Sequence, residues 1–226
     1  KIKKNAQILA KQKNDDVSLK YIENEIKNLK NSSTKILYDL ANIYKSFKKY
    51  KKAIEYYSIV LSNLDNNSSI YADVLYRRGG SFERIGQYDK SDIDLLRSLE
   101  ITPGDPYTTN YLAYSWLERN YKIDEAMQML EQAYKKKKND PYITDSIGWA
   151  YYLIGDYNSS EKYLKKALEL MPYDPIIHDH YGDVLWQLNR KIQAKYFWKS
   201  VLEIEDADEK MKKNIKLKLL NGLNNI

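Results

Sequence analysis

The sequence contains no cysteine, only two histidines and only three phenylalanines among its 226 residues. Without cysteine the chain can form no disulfide, no thiolate metal site and no cysteine nucleophile, and this absence fits a cytoplasmic and a periplasmic protein alike. No stretch approaches the roughly 18 consecutive apolar residues of a membrane-spanning helix, and the mean hydropathy is −0.70. The sequence therefore predicts no transmembrane segment.

Residues of the common catalytic sites are equally scarce. The two histidines, His178 and His180, form the only pair with a metal-ligand spacing, and the chain has no glycine-rich phosphate loop. Positions in a helical repeat explain both histidines as structural or exposed residues. We therefore expect a protein that is not an enzyme and that holds no cofactor and no metal.

The remaining composition is that of a folded protein. Hydrophobic residues make up 43% and charged residues 30% of the chain, with a net charge of +6 and 22 tyrosines. This balance argues against disorder. The abundance of Lys, Asn, Ile and Tyr is typical of an AT-rich, bacterial genome. Because the chain opens with Lys1 rather than Met, we expect it to be part of a longer protein.

An internal period of 34 residues organises the chain. Gly148 and Gly182 stand 34 residues apart, and so do Ser160 and Ala194. A fixed period of this length predicts stacked helical hairpins, with small residues where the two helices of a hairpin approach each other. The period divides the chain into five units: 34–71, 72–105, 106–140, 141–174 and 175–206.

The fourth unit has the clearest motif, and it resembles the tetratricopeptide-repeat family through Ile147, Gly148, Tyr151, Gly155, Tyr157, Ser160, Leu164, Ala167 and Pro172. The resemblance implies an all-α solenoid, a right-handed superhelix of antiparallel helix hairpins. The third unit needs one extra residue in the turn at Tyr121–Lys122. Residues 1–33 are predicted as a helix pair or degenerate repeat, and residues 207–226 as a capping helix and tail.

In this family the second, fifth, ninth and twelfth positions of each unit face a concave groove. The resemblance thus implies a binding groove that holds a peptide or a partner segment. Its predicted residues are Tyr38, Asn42, Tyr76, Tyr107, Asn110, Tyr114, Tyr142, Asp145, Trp149, Tyr152, Asp179, Asp183 and Trp186, and Lys45, Asp73, Glu83 and Ile176 occupy further groove positions. Tyr and Trp dominate the energetic hot spots of protein interfaces. The sequence therefore predicts a scaffold or adaptor with a protein or peptide partner.

The acidic residues of this groove, Asp145, Asp179 and Asp183, lie in the C-terminal half. They predict a basic or amine-bearing partner segment close to the faces of Trp149 and Trp186. The alternative is that these aromatic side chains pack against each other or against the next helix.

The best-defined binding mode of the family is a carboxylate clamp for the C-terminal tail of a chaperone. Asn42 fits one clamp position. Tyr38 stands in place of a Lys, Arg77 in place of an Asn, and Tyr107 with Tyr111 in place of basic residues. These departures argue against chaperone-tail binding.

Lysine clusters at 135–138 and 48–52 support an alternative function, the binding of nucleic acid or an anionic surface by convex patches. Solvated helix ends explain the same clusters, and acidic residues are interspersed nearby, so nucleic acid is the weaker prediction. A narrower resemblance covers Asn110 to Glu203, which looks like long tetratricopeptide-repeat proteins of Gram-negative bacteria. Some of those proteins are envelope adaptors.

Overall fold

The computed structural model describes residues 33–223, and nearly all of the N-terminal segment predicted as a helix pair lies outside these residues. Within 33–223 the structure contains eleven α-helices and no strand, which confirms the predicted all-α class. None of the described helices combines the length and the apolarity needed to cross a lipid bilayer. The helices are α1 (Thr34–Ser46), α2 (Tyr50–Ser62), α3 (Ser69–Arg84), α4 (Tyr88–Ile101), α5 (Pro106–Glu118), α6 (Ile123–Lys136), α7 (Pro141–Leu153), α8 (Tyr157–Leu170), α9 (Pro175–Gln187), α10 (Lys191–Val201) and α11 (Glu209–Asn221).

The chain divides into two compact units, unit 1 up to Gly104 and unit 2 from Asp105 onward. In unit 1, α1 packs against α2 and α3 against α4, and α2 contacts α3. In unit 2 the pairs are α5 with α6, α7 with α8, and α9 with α10, and α11 packs against α10. Short turns join the two helices of each pair, so the helices run antiparallel. We call the first helix of each pair helix A and the second helix B.

The helix A segments of unit 2 begin at an Asp-Pro pair. Asp105, Asp140 and Asp174 are N-cap residues whose carboxylates accept hydrogen bonds from backbone N–H groups of the first turn, and a proline follows each of them. Such a cap satisfies a donor that the helix itself leaves without a partner, and proline is pre-organised for the first helical position. These pairs fix where α5, α7 and α9 begin.

The repeated glycines lie where helix A and helix B approach most closely. A Cβ atom on Gly148 would lie 2.8 Å from Leu164 Cγ, and one on Gly182 would lie 2.5 Å from Trp198 Cδ1. Leu164 and Trp198 are fully buried. Ser160 fits the same close approach because its hydroxyl donates a hydrogen bond to the Gly148 carbonyl at 2.7 Å. Small residues therefore recur every 34 residues because each hairpin requires them where its two helices touch.

The turn between α5 and α6 differs from the other turns within helix pairs. It spans residues 119–122, four residues, whereas each of the other four such turns has three. Asn120 and Lys122 adopt left-handed backbone conformations, with φ of 53° and 46°. The extra residue that the sequence predicts in this turn is present.

Candidate functional site

Several pairs of polar side chains on successive helix A segments, and on α9 and α11, contact each other at an offset of 35 residues. In unit 1, Tyr38 contacts Asp73. In unit 2, the ring of His180 contacts Asp145, and the amide of Gln187 contacts the Tyr152 hydroxyl. Residues that are 35 positions apart, one more than the repeat period, thus lie on the facing surfaces of neighbouring helices. Several predicted groove residues therefore have a partner on the next helix.

A hydrogen-bonded network joins α1, α2 and α3 in unit 1. Tyr38 donates its hydroxyl to Asp73 Oδ2 at 2.5 Å, and Arg77 Nε donates to the same oxygen at 3.0 Å. Asn42 Oδ1 accepts from the Tyr57 hydroxyl at 2.7 Å and from Arg77 Nη1 at 3.4 Å. Burial raises the pKa of Tyr38 and of Tyr57, which keeps both phenols protonated as donors. Arg77 is therefore held between two acceptors.

Three cations lie together beside this network, and we call Lys45, Arg77 and Arg84 the basic cluster. The Lys45 ammonium group lies 5.8 Å from the centre of the Tyr76 ring. Burial, followed by the charges of Arg77 and Arg84, lowers the pKa of Lys45 to about 8. Arg77 pairs with Asp73, and Arg84 Nε lies 3.4 Å from a carboxylate oxygen of Glu83. Within residues 33–223, Lys45 makes no ion pair of its own.

In unit 2, the indole of Trp149 stacks on two other rings. Its centre lies 4.0 Å from that of His180 and 4.5 Å from that of Tyr152, with interplanar angles of 14° and 10°. The indole Nε1 donates a hydrogen bond to Glu118 Oε1 at 2.6 Å. Three helices, α5, α7 and α9, thus fix the orientation of this half-buried ring.

The His180 ring of this stack also forms a buried pair with Asp145. His180 Nδ1 lies 2.9 and 3.1 Å from the two carboxylate oxygens of Asp145. Burial alone would lower the pKa of His180, but the charges of Asp145, Asp179 and Asp183 raise it above its ordinary value. The protonated ring is therefore favoured at this position.

The other two acidic groove residues bind a lysine from α11. Lys218 Nζ donates to Asp179 Oδ1 at 2.6 Å and to both oxygens of Asp183 at 2.7 Å. Trp198 Nε1 donates to Asp183 Oδ1 at 2.9 Å. Burial would lower the pKa of Lys218, but Asp183 and Asp179 raise it. The basic group predicted to come from a partner is at these two carboxylates supplied by the chain itself.

Three large apolar side chains of unit 2 remain exposed at equivalent positions. Tyr107, Tyr142 and Ile176 are each the second residue of their helix, α5, α7 and α9, and are exposed to 45%, 57% and 51%. Because α7 packs against both α5 and α9, the three residues lie on neighbouring helices. We call them the first-turn strip.

The other predicted groove residues are less accessible. Tyr114 and Asn110 of α5 are half-buried. The Trp186 ring lies 5.2 Å from that of Trp198, and a Cβ atom on Gly222 would lie 2.1 Å from a Trp186 ring carbon. Trp186 of α9 therefore packs against α10 and the end of α11. For this side chain the structure agrees with the alternative stated above, that the aromatic residues pack against each other or against the next helix.

A cleft of about 630 Å³ lies at the end of α6, next to the first-turn strip. Its lining residues are Tyr107, Lys135, Lys136, Lys137, Lys138, Asn139 and Asp140. The Lys137 ammonium group lies 5.8 Å from the centre of the Tyr107 ring. In the part of the chain that the structure describes, no group of three or more His, Cys, Asp or Glu side chains is arranged to hold a metal ion.

Comparison with known proteins identifies repeats in both units. The tetratricopeptide-repeat family model matches residues 34–61 and 146–174. The TPR repeat-containing protein PA4667 of Pseudomonas aeruginosa is 30% identical over 111 residues, 49% of this chain and 19% of that protein. Anaphase-promoting complex subunit 3 of Schizosaccharomyces pombe is 25% identical over 88 residues, 39% of this chain and 13% of that protein. The matched segments thus span less than a fifth of either relative.

Solved structures show the same fold. The thermophilic TPR protein TTC0263 of Thermus thermophilus matches with a TM-score of 0.71 and 18% identity over 83% of this chain and all of that one. A chain of the anaphase-promoting complex hetero-tetramer Cut9–Hcn1 matches with a TM-score of 0.75 and 17% identity, covering 89% of this chain and 39% of that one. At these identities the likeness concerns the fold alone. Together with the two family-model matches and the similarity to PA4667, this likeness supports a protein built from tetratricopeptide repeats.

Proposed function

We propose that this chain is a non-catalytic scaffold that binds a segment of a partner protein across the helix A surfaces of unit 2. Tetratricopeptide-repeat proteins generally mediate protein–protein interactions, and the family match and the fold support this general role. The more specific proposal concerns which surface makes the contact. The observation that carries it is the first-turn strip.

The strip has the properties of a contact surface. Tyr107, Tyr142 and Ile176 each leave about half of their surface in water. Exposed apolar side chains that line up across neighbouring elements mark interaction sites, because covering them removes apolar surface from water. Packed helices lie about 8 to 10 Å apart, and three residues of an extended chain span about 10 Å. A partner segment in the polyproline II conformation, with three residues per turn and a rise of about 3.1 Å per residue, would therefore place every third side chain against one member of the strip.

The Trp149 stack supports the same surface by making it rigid. Trp149 cannot rotate freely, because its ring stacks on those of His180 and Tyr152 and its N–H group donates a hydrogen bond to Glu118. A contact residue that is already ordered loses less side-chain entropy when a partner binds. We infer that the exposed edge of this indole extends the contact surface along α7.

The test compares two triple variants that truncate the same residue types, two exposed tyrosines and one exposed isoleucine each. The strip variant carries Tyr107→Ala, Tyr142→Ala and Ile176→Ala, and the control carries Tyr173→Ala, Tyr196→Ala and Ile192→Ala, which also removes two exposed tyrosines and one exposed isoleucine of unit 2. Peptides are selected from a random-peptide display library against the whole chain, and their affinities are measured by fluorescence anisotropy. Circular dichroism verifies that both variants keep their helices.

We expect the strip variant to lose at least about 100-fold in affinity, since interface truncations at hot spots cost about 2 kcal/mol each. The control variant should bind as the wild type does. Equal affinities of the strip variant and the wild type, or equal losses in both variants, would contradict the proposal.

The lysine-lined cleft favours a second candidate function, the binding of nucleic acid or another anionic surface. Tyr107 borders four consecutive lysines there, and an aromatic ring beside basic residues is a common arrangement for binding single strands. Lysines at a helix C-terminus also interact favourably with the helix dipole without any ligand. A salt titration separates the two functions, because phosphate contacts weaken steeply with salt, whereas apolar contacts at the strip do not.

A further inference from the structure

One cation of the basic cluster has no carboxylate partner among residues 33–223. Arg77 has Asp73 as a carboxylate partner, and Arg84 has Glu83. The Lys45 ammonium group lies over the Tyr76 ring, and no carboxylate of residues 33–223 is within ion-pair distance of it. Unit 1 thus holds a half-buried positive charge that the described part of the chain does not neutralise.

This arrangement is unfavourable in the absence of a ligand. Burial and the charges of Arg77 and Arg84 both oppose the charged form of Lys45, and Asp73 compensates only in part. Interactions between partly buried charges are less screened by salt than those at the open surface. A carboxylate placed beside Lys45 would reverse the balance of charge at this site.

We propose that the basic cluster of unit 1 binds an Asp or Glu side chain of a partner protein, with Lys45 as the residue that forms the ion pair. This inference rests on the proposed scaffold function and specifies the chemistry of the partner at unit 1.

The surroundings of Lys45 favour a carboxylate of a peptide over the phosphates of a nucleic acid. Recognition of a nucleic-acid backbone relies on several phosphate contacts, whereas this site has one cation without an ion pair. Arg77 is already held by Asp73 and Asn42, so the site is largely ordered before a ligand arrives. Tyr76 adds an aromatic surface beside the ammonium group, which suits the aliphatic part of an acidic side chain.

The test is a display selection with a random-peptide library against the whole chain, carried out in parallel on four proteins. These are the wild type, Lys45→Met, the control Lys51→Met at an exposed lysine of α2, and the strip variant of unit 2. We expect peptides enriched in Asp and Glu with the wild type and with Lys51→Met. With the strip variant the acidic enrichment should persist, but among peptides of lower affinity. The acidic enrichment should disappear with Lys45→Met.

The affinity measurement uses the most enriched acidic peptide, synthesised with an amidated C-terminus so that its side chains are the only carboxylates. We expect Lys45→Met to weaken binding about 10-fold or more, as does the loss of one partner of a partly buried charge pair. The Glu→Gln and Asp→Asn version of the peptide should lose affinity to a similar extent. A single-stranded oligonucleotide should not compete.

Three outcomes would overturn the inference: selected peptides without acidic enrichment, equal losses with Lys45→Met and Lys51→Met, or displacement of the peptide by the oligonucleotide. The proposed function is judged separately by the strip variant. Its failure would appear as selected peptides whose binding is unaffected when the strip is truncated, whatever their acidic content.

Proton uptake provides an independent readout of the same contact. Because the pKa of Lys45 is lowered to about 8, part of the population is deprotonated near that pH, and a bound carboxylate will raise the pKa. Titration calorimetry near pH 8 in two buffers of different protonation enthalpy measures protons taken up on binding. We expect uptake with the wild type and none with Lys45→Arg. Equal uptake by both proteins would contradict the role of Lys45.

Discussion

The two units treat the charges on their helix A surfaces differently. In unit 2 a cation of the same chain neutralises each acidic residue of the predicted groove, with His180 at Asp145 and Lys218 at Asp179 and Asp183. In unit 1 the half-buried Lys45 has no such partner within the described residues. The comparison shows that a groove position in a repeat is available for binding only if the next helix does not already supply its partner.

The largest expected effect comes from removing the cation of unit 2. Lys218→Met leaves the carboxylates of Asp179 and Asp183 buried without their partner, and the Lys218 side chain is only 11% exposed. Breaking a buried ion pair on one side typically costs about 3 to 5 kcal/mol. Urea unfolding followed by circular dichroism measures the loss of unfolding free energy.

The matched change in unit 1, Lys45→Met, should leave the free energy of unfolding unchanged or raise it slightly. The reason is that no carboxylate of the described residues loses an ion-pair partner when Lys45 is removed. If Lys45→Met destabilised the chain as much as Lys218→Met, the distinction between the two units would be wrong.

The next effect compares the two units at the contact between helix A and helix B. Alanine at Gly182 would place its Cβ atom 2.5 Å from two atoms of the buried Trp198 ring, whereas alanine at Gly79 would meet Leu95 at 3.0 Å. Overpacking a core typically costs about 1 to 3 kcal/mol, and replacing glycine in a helix recovers about 1 kcal/mol. We expect a net loss of about 2 kcal/mol for Gly182→Ala and a change close to zero for Gly79→Ala, which thermal and urea unfolding would measure.

A smaller effect concerns the pH dependence of unit 2. The pKa of His180 is raised by Asp145, Asp179 and Asp183 against the effect of burial. A raised pKa in the folded state means that this contribution to stability is complete below the unfolded value of about 6.5 and is lost as pH rises through the folded value. Unfolding free energies measured from mildly acidic to alkaline pH should therefore decline more for the wild type than for His180→Gln. Parallel profiles would exclude His180 as the source.

Sequence reasoning predicted most of the fold and part of the site. The 34-residue period predicted the all-α class because Gly148 and Gly182 are required by a close helix contact. The groove positions of the family concern one helix at a time, so they do not predict His180 and Lys218 as partners on the next helix. The signal was present, since each stands 35 residues after an acidic groove residue. Whether a carboxylate lies near Lys45 depends on how the helices pack. The distances between residues along the sequence do not reveal this.

The distinction between the units can be tested most directly by measuring the pKa values of Lys45 and Lys218 in the same chain. An NMR titration of the lysine ε-methylene groups in the isotopically labelled protein follows both residues, which are assigned with Lys45→Met and Lys218→Met. We predict that Lys45 titrates at about 8 and that Lys218 titrates above the ordinary lysine value of 10.5. Titration of Lys45 at the ordinary lysine value would show that unit 1 neutralises its cation as unit 2 does, and would contradict the account.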